Sequence, residues 1–415
     1  MNLSAIKRNS LLQMTVIATS YLMSFLLSAF LGRMLGPVDL GAWSATAAVS
    51  SIILGFTMLG IDSPVARRMA IEPAHAAKWL GHGIGIRLFI SLPLSIILIV
   101  TATHFFYQGV VPLIFAVGYA LYAALGGIAG LITRGCQILN YFSWQYIPLF
   151  LGTFPALIAV YVWVDNGGGL LGVVFCTAVG QIMGIIGLTI VMYRTANPSP
   201  RYDRKAWGSL LRESWPLAVS TPFLAAYSRI DSVLLLNLRG PESAGYYSSA
   251  YGFFMAFCGL ASGVQAAIFP ALAKTYAESP ASAYRLFKQS LRWMFLLAVF
   301  GVVGTMAVGE QVLVLVYGES FRVATDTLYI LMSSSVFLLL NNTYGMTLNA
   351  IGRQREAMYI TIGGLLTNII ANLVLIPEYD FEGSAWATLV TEFVVLLMLH
   401  LSIVPKWLKL ISRYK

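Results

Sequence analysis

Runs of about 20 apolar residues recur along this 415-residue chain, broken only by short links carrying charge, glycine or proline. As a helix each run is about 30 Å long, the depth of a hydrocarbon core, so the chain reads as an all-α membrane protein. Composition points the same way. Hydrophobic residues make up 58% and charged residues 10%, whereas a soluble domain is charged at about a quarter of its positions. No link has room for a separate soluble domain. The first run follows Lys7 and Arg8 as a signal peptide would, yet no small-residue cleavage site precedes the turn that ends it. It is read as a retained helix.

Twelve spans are expected, near 9–32, 40–63, 80–103, 108–133, 144–164, 169–193, 214–237, 243–270, 289–309, 325–350, 356–377 and 382–404. With the N-terminus cytoplasmic, all but four of the 26 Lys and Arg residues fall on the cytoplasmic side, Arg87 among them. Arg33, Arg239 and Arg322 fall outside, and Arg229 lies within a span. Such a split places both termini in the cytoplasm. It also accounts for the net charge of +9 as topology, so no nucleic-acid partner is expected. Cys136, Cys176 and Cys258 stand singly in or beside apolar stretches and read as small buried hydrophobes. His75, His82, His104 and His400 are scattered, so no metal site and no cofactor is expected.

One turn occurs twice. "LGRMLGPVDLGAW" (31–43) and "NLRGPESAGYY" (237–247) align at a shift of 204 residues, Gly36 on Gly240, Pro37 on Pro241 and Gly41 on Gly245. The first glycine can stop a helix in the left-handed region, the proline cannot continue it, and Asp39 or Ser243 can cap the next helix. A second match, "GVVFCTAVGQ" (172–181) on "GSAWATLVTE" (383–392), aligns Gly172 with Gly383, Thr177 with Thr388 and Gln181 with Glu392. The chain therefore reads as two six-helix lobes, 1–194 and 214–415, related by a pseudo-two-fold axis along the membrane normal around a central cavity. The link 195–213 joins them. Its Trp207, Leu210 and Leu211, with Trp215 just beyond, oppose Arg204, Lys205 and Arg212, the pattern of a helix lying in the membrane interface.

The first turn with "LGIDSPVARRMA" (59–70), "RGPESAGYY", "FPALAKTY" (269–276) and "NAIGRQREAMY" (349–359) resembles the polysaccharide-transport branch of the multidrug/oligosaccharidyl-lipid/polysaccharide exporter superfamily, the Wzx-type O-antigen flippases. The resemblance implies a transporter that moves an undecaprenyl-pyrophosphate-linked oligosaccharide from the cytoplasmic to the periplasmic leaflet by alternating access around a cationic cavity. It further implies the bacterial inner membrane, H+ or Na+ as coupling ion, and a polysaccharide polymerase complex as neighbour. The physics suits that task, because a glycan and a pyrophosphate cannot cross hydrocarbon without polar partners.

Polar stripes supply such partners. Gln13, Ser20, Ser24 and Ser28 share one face of span one, and Thr361, Asn368 and Asn372 one face of span eleven; span ten carries Asn341, Asn342 and Asn349, and span eight Ser262 and Gln265. Hydroxyls and amides also bind helix to helix. Ser24, Gln265, Asn341, Asn342, Asn368 and Asn372 are the candidates for sugar contact.

Intramembrane ionisable groups are costly and informative. Asp231, Arg229 and Glu392 lie about 9, 12 and 14 Å below the outer face. Asp62, at the cytoplasmic end of span two, has Arg67 and Arg68 as nearest candidate partners. Arg229 and Asp231, two residues apart, point to opposite helix faces. Arg229 is expected to pair with Glu392 or to hold pyrophosphate, and Asp231 to be a protonatable coupling group, with a static ion pair as the competing reading. Asp62 and Glu392 are further candidates for ion coupling or gating. In the family reading Arg33 belongs to the cationic lining with Arg67, Arg68 and Arg134; snorkelling at the interface and enforcement of topology are the plainer explanations.

Two rival classes are weighed. An enzyme would need an outer loop bearing catalytic groups, and the longest outer stretch, Glu310 to Asp326, has no paired-carboxylate motif. A cation-coupled multidrug exporter would share the spans but need an acidic cavity, while in this chain, apart from Asp326, Glu356 and Glu382 at the very start of their spans, only Asp62, Asp231 and Glu392 are acids within spans, and several bases stand at the span ends. An anionic substrate is favoured.

Overall fold

The computed structural model describes residues 3–107, 112–139, 141–195, 198 and 202–412. Arg201, Arg413 and Lys415 of the basic set lie outside the described residues, as do the side chains of Lys7, Arg8, Gln13, Arg194, Lys406 and Lys409. The described chain is helical throughout. Among the described residues nine segments are long and apolar enough to cross a membrane. They cover the expected spans one to six, nine and ten singly, and take spans eleven and twelve as one. By contact the chain forms two units, one of residues 1–16 and 42–229, the other of residues 17–41 and 230–415. The first helix, α1 (Leu3–Leu35), contributes to each.

The first unit comprises the start of α1 with α2 (Pro37–Thr57) from Ala42 onward, α3 (Asp62–Ile71), α4 (Ala76–Ile86), α5 (Leu92–Phe106), α6 (Leu113–Ile138), α7 (Phe154–Asp165), α8 (Leu170–Thr195) and α9 (Arg204–Tyr227). Its core gathers Val65, Leu80, Leu131, Leu188 and Met192 with Trp207 and Leu210 of α9. The segment expected to lie in the interface is the start of α9, and its Trp207 and Leu210 are buried against that core. Only Trp215 remains exposed.

Two single π turns, Arg87–Ser91 and Leu149–Thr153, each stand two residues ahead of a proline, Pro93 and Pro155. Proline has no N–H to donate and its ring would strike the carbonyl four residues back, so the preceding turn widens. On α8, Gly180 and Gly184 let the backbone approach Gly152 and Pro148 closely, the small-residue packing that membrane helices use in place of a hydrophobic drive. The start of α9 is capped by Asp203, which accepts from the backbone N–H groups of Lys205 (2.9 Å) and Ala206 (3.2 Å). Those hydrogen bonds hold its carboxyl below the ordinary 3.8.

The second unit holds α1 from Ile17 and α2 as far as Gly41 with α10 (Ile230–Arg239), α11 (Pro241–Glu278), α12 (Pro280–Tyr317), α13 (Thr325–Ala350) and α14 (Gln354–Ser412). At about 1.5 Å per residue, the 59 residues of α14 would be far longer than a bilayer is thick, and α14 is in fact two helices. Asp380 is non-helical (φ 52°, ψ −132°), and beyond it the chain doubles back. The Ser384 hydroxyl bonds Asn372 at 2.8 Å although the two are twelve residues apart, and Gly383 lies against the backbone of Leu375 and Ile376. The C-terminal half of α1 is fixed by Ser28, 3.0 Å from the Tyr317 hydroxyl, and by Phe25 against Phe253.

The expected span seven, 214–237, is not continuous: the helix ends at Tyr227 and restarts at Ile230. Hydropathy alone does not register this break, since polar residues interrupt the segment in either case. α9, α10 and α11 are absent from the nine membrane-length apolar segments. Hydroxyl, amide and ionised residues interrupt α9 and α11, and α10, at ten residues, is too short.

The repeated turn acquires a second role. Gly36 and Gly240 adopt φ of 86° and 90°, as a helix stop requires, and prolines begin the next helices. No side chain caps α11, whose N-cap is Gly240 itself; Ser243 instead donates to Asp380 at 3.1 Å. The second glycine of each copy sits against the other copy. A Cβ on Gly41 would collide with the Pro241 carbonyl, and one on Gly245 with the Pro37 carbonyl. The two turns thus cross in a reciprocal contact that only glycine permits.

Gly41→Val and Gly245→Val should each lower stability by about 3 kcal/mol or more, because backbone rather than a flexible side chain occupies the space. Gly36→Ala, with nothing near its Cβ, should cost only about 1–2 kcal/mol of left-handed strain. Thermal unfolding in detergent ranks them. For Asp203, whose folded carboxyl is depressed, the cap's contribution is present above the ordinary carboxylate range and fades as pH falls through the lowered value. Amide exchange at Lys205 and Ala206 should therefore differ between wild type and Asp203→Ala at neutral pH and converge in strong acid.

Candidate functional site

A continuous chain of buried polar groups runs through the second unit. Asp231, in the first turn of α10, is 5% exposed; its carboxylate accepts from the Ser232 N–H (2.7 Å) and from the Tyr247 hydroxyl of α11. The Tyr247 oxygen lies 3.3 Å from Thr388 Oγ1, and Thr388 donates to the Ser384 carbonyl at 3.1 Å. Ser384 bonds Asn372, whose amide donates to the Asn368 carbonyl (2.9 Å) and side-chain oxygen (3.1 Å). The doubled-back α14 makes this possible by bringing Asn368 and Asn372 of one arm beside Ser384 and Thr388 of the other. One carboxylate among neutral oxygens can carry a proton or hold a hard monovalent cation. Among the described residues no group of three or more His, Cys, Asp or Glu side chains forms a metal site.

A second cluster lies on α13 and the last arm of α14. Asn341 donates to the Glu392 side chain at 2.7 Å and to its backbone carbonyl at 2.8 Å, and both residues are buried. Gln265 of α11 donates to the Leu339 carbonyl (3.0 Å) and to Thr343 (3.1 Å), tying α11 to α13. Ser24 is exposed and Asn342 half-buried. Thr361, Ser262 and Thr367 bond carbonyls of their own helices.

The basic candidates divide by unit. In the second unit the Arg33 guanidinium donates to the Leu315 carbonyl at the C-terminal end of α1, and Arg239 to the carbonyls of Ile376 and Pro377. In the first unit Arg229 follows the end of α9, half-buried, within electrostatic reach of the Tyr119 hydroxyl. Arg134 is exposed on α6. Arg67 and Arg68 do not serve Asp62: both bind Glu213 of α9, at 2.6 and 3.2 Å. Asp62 binds Arg87 at 2.6 Å. The expectation failed because four residues along α3 separate the Arg67 side chain from that of Asp62 by more than one turn, whereas the π turn brings Arg87 across from the next segment. Arg87 is 1% exposed. Charge counting had placed it with the cytoplasmic topology residues, and its position inside an apolar run was the signal available.

At the link between α12 and α13, Gly318 (φ 102°) ends α12, and Arg322 clamps Glu319 at 2.8 Å and also Glu310. The Arg322 hydrogen bond lowers the Glu319 carboxyl below its usual range. At the opposite end, Gly352 (φ 78°) closes α13, and Arg353, Glu356 and Ser402 bond one another.

The sequence profile of the family described as polysaccharide biosynthesis protein matches residues 6–276, and that of the family described as MatE matches residues 216–374. A protein of Escherichia coli strain K12, provisionally named O-antigen transporter, is 21% identical over 406 residues, covering 95% of each chain. A Haloferax volcanii protein, provisionally named low-salt glycan biosynthesis flippase, is 22% identical over 91% of this chain and 79% of its own. Among solved structures, an inward-facing multidrug resistance MATE family transporter superposes with a TM-score of 0.77 at 16% identity over 96% of this chain and 99% of the other. The lipid II flippase MurJ does so with 0.71 at 14% identity over 93% and 86%. These likenesses establish the fold.

Asn372→Leu should strand the Ser384 hydroxyl and the Asn368 side chain, each at about 1–3 kcal/mol. A loss of about 2–5 kcal/mol in unfolding stability, against a near-neutral Thr361→Ala, would confirm that the chain is a connected network.

Proposed function

The chain belongs to the polysaccharide biosynthesis protein family, and on that premise we propose that it is a flippase for an undecaprenyl-pyrophosphate-linked oligosaccharide, carrying the surface-glycan repeat unit from the cytoplasmic to the periplasmic leaflet of a bacterial inner membrane. It is a multi-pass membrane transporter. The observation that carries the reading is the end-to-end similarity to the relative named for O-antigen transport. The doubling back of α14 and the crossing of the two turns support the full twelve-span, twice-six-helix organisation with both termini cytoplasmic. The unit boundary near Arg229 would then shift the first helix of the second half toward the first unit.

In this reading the charged pyrophosphate is met by arginine. Arg33 and Arg229 supply cationic contacts within the membrane, and Arg67, Arg68 and Arg134 attract the head group at the cytoplasmic mouth. Glu213 holds Arg67 and Arg68 in place until a phosphate competes for them, an exchange of one anion for another. Sugar hydroxyls are met by Ser24 and Asn342, with Gln265, Asn341, Asn368 and Asn372 shaping the polar wall behind. Asp231 is the coupling group for H+ or Na+, with Glu392 and Asp62 as further ionisable gates. A polysaccharide polymerase complex would take the product.

Deleting the gene should abolish surface glycan while lipid-linked units collect in the inner leaflet. Normal surface glycan in a strain with no second flippase would overturn the proposal, and drug sensitivity instead would favour the multidrug reading. Asp231→Asn should retain the fold, lose dependence of transport on the ion gradient and slow translocation at least about tenfold. Gradient dependence is read by collapsing the pH and sodium gradients separately.

A further inference from the structure

In the second unit α13 packs against both α12 and α14, and a groove of about 540 Å³ opens over it between α12 and the last arm of α14. Tyr344, 5% exposed, and the half-buried Leu340 form its floor; Arg292 and Phe295 of α12 and Leu397 and His400 of α14 stand exposed along its walls. Polarity divides this groove. α12 and α13 run antiparallel, with Phe287 against Tyr344 near one end and Gly309 beside Tyr329 near the other. The last arm of α14 runs with α13, as the Asn341–Glu392 and Tyr344–His400 bonds require. Arg292 precedes Phe295, Tyr344 follows Leu340, and His400 follows Leu396 and Leu397. On all three helices the polar side chain therefore lies at the same end and the apolar ones at the other.

The polar end is built to donate. The Tyr344 hydroxyl lies 2.9 Å from His400 Nδ1, and a hydroxyl donating to Nδ1 leaves the ring hydrogen on Nε2. That Nε2 and the Arg292 guanidinium make no hydrogen bond or ion pair among the described residues. Charge at this end is one-sided. Arg285, Lys288 and Arg292 are exposed and recur at steps of three and four, on one face of α12. The carboxylates there, Glu278 and Glu356, are engaged by Lys274 and by Arg353 with Ser402. Beyond the apolar end the wall continues, Phe337 lying against Phe393 at 5.5 Å. A basic hollow between membrane helices with an apolar continuation complements a phosphate joined to an acyl chain. Any arginine near a membrane boundary snorkels. Arg292 differs in bordering a cavity whose buried floor supplies a Tyr–His pair.

We propose that this groove holds one anionic phospholipid, its phosphate bound by Arg292 and His400 and an acyl chain lying against Phe295, Leu340 and Leu397. The site uses none of the residues assigned to substrate or ion. It requires only that the chain crosses a membrane, so it stands apart from the flippase reading. Seated there, the lipid bridges α12 and the last arm of α14 across α13.

The test titrates the full-length protein in lipid-free detergent with phosphatidylglycerol or phosphatidylcholine and counts retained lipid by native mass spectrometry. Wild type should bind phosphatidylglycerol about tenfold more tightly, the worth of one hydrogen bond to a charged group. Arg292→Gln should remove that preference, and Arg285→Gln, on the same stripe but outside the groove, should keep it. Leu397→Trp, filling the apolar end with the charge intact, should lower retention of both lipids. All three positions are exposed, so these variants should melt with wild type in lipid-free detergent. His400→Gln, expected to weaken the preference, decides the case if Arg292→Gln does not fold. Equal retention of the two lipids by wild type, a preference that survives Arg292→Gln, or one lost equally in Arg285→Gln would overturn the site. Displacement of phosphatidylglycerol by equimolar undecaprenyl pyrophosphate would overturn the phospholipid assignment in favour of the transported lipid. No step reads transport, so failure of the flippase reading would leave the result intact.

Discussion

In hydrocarbon a polar group has no solvent to fall back on, and that one constraint organises this protein. Each ionised or amide side chain inside an apolar run must find a partner on another helix, so polar residues dictate which helices touch. Asp231, Tyr247, Thr388, Ser384, Asn372 and Asn368 satisfy one another in a line across α10, α11 and the two arms of α14. Of the helices on this line, α11, 38 residues long, is absent from the membrane-length apolar segments among the described residues.

The turns illustrate a second consequence. Two helices can be brought backbone to backbone only where side chains are absent, and the Gly-Pro turn supplies that absence twice, each copy's second glycine meeting the other copy's proline. The spacing of both glycines was visible in the sequence. The first was understood at once as a helix stop; the second carries no local signature and becomes intelligible only when its partner is seen. Gly172 and Gly383, aligned by the second internal match, behave alike within their own units. Gly172 accepts the Trp163 ring and Gly383 the Leu375 backbone, so each lets the preceding helix lie close.

Helix positions, the helix stops at Gly36 and Gly240 and the need of Asp231 for polar partners were legible because they depend on local hydropathy, backbone freedom and the cost of a charge in an apolar run. Tertiary choices were not. Nothing local says that Asp62 takes Arg87 rather than Arg67 or Arg68, since a π turn forced by Pro93 sets the aim of Arg87. The break after Tyr227 was hidden because Ser228 and Arg229 lower hydropathy whether or not the helix continues. Trp207 and Leu210 show the same ambiguity: an amphipathic face states that it needs an apolar neighbour, and helical core and lipid interface both qualify.

Translocation of a pyrophosphate-linked sugar by this chain alone is the central claim. The purified protein should be placed in liposomes whose inner leaflet carries a fluorescent undecaprenyl-pyrophosphate oligosaccharide, and appearance of the glycan outside read by cleavage with an added glycosidase. The account predicts that cleavage rises beyond the externally accessible pool with wild type and rises at least about tenfold more slowly with Asp231→Asn under the same ion gradient. Cleavage by wild type no greater than in empty liposomes, in protein shown to be folded, would contradict it.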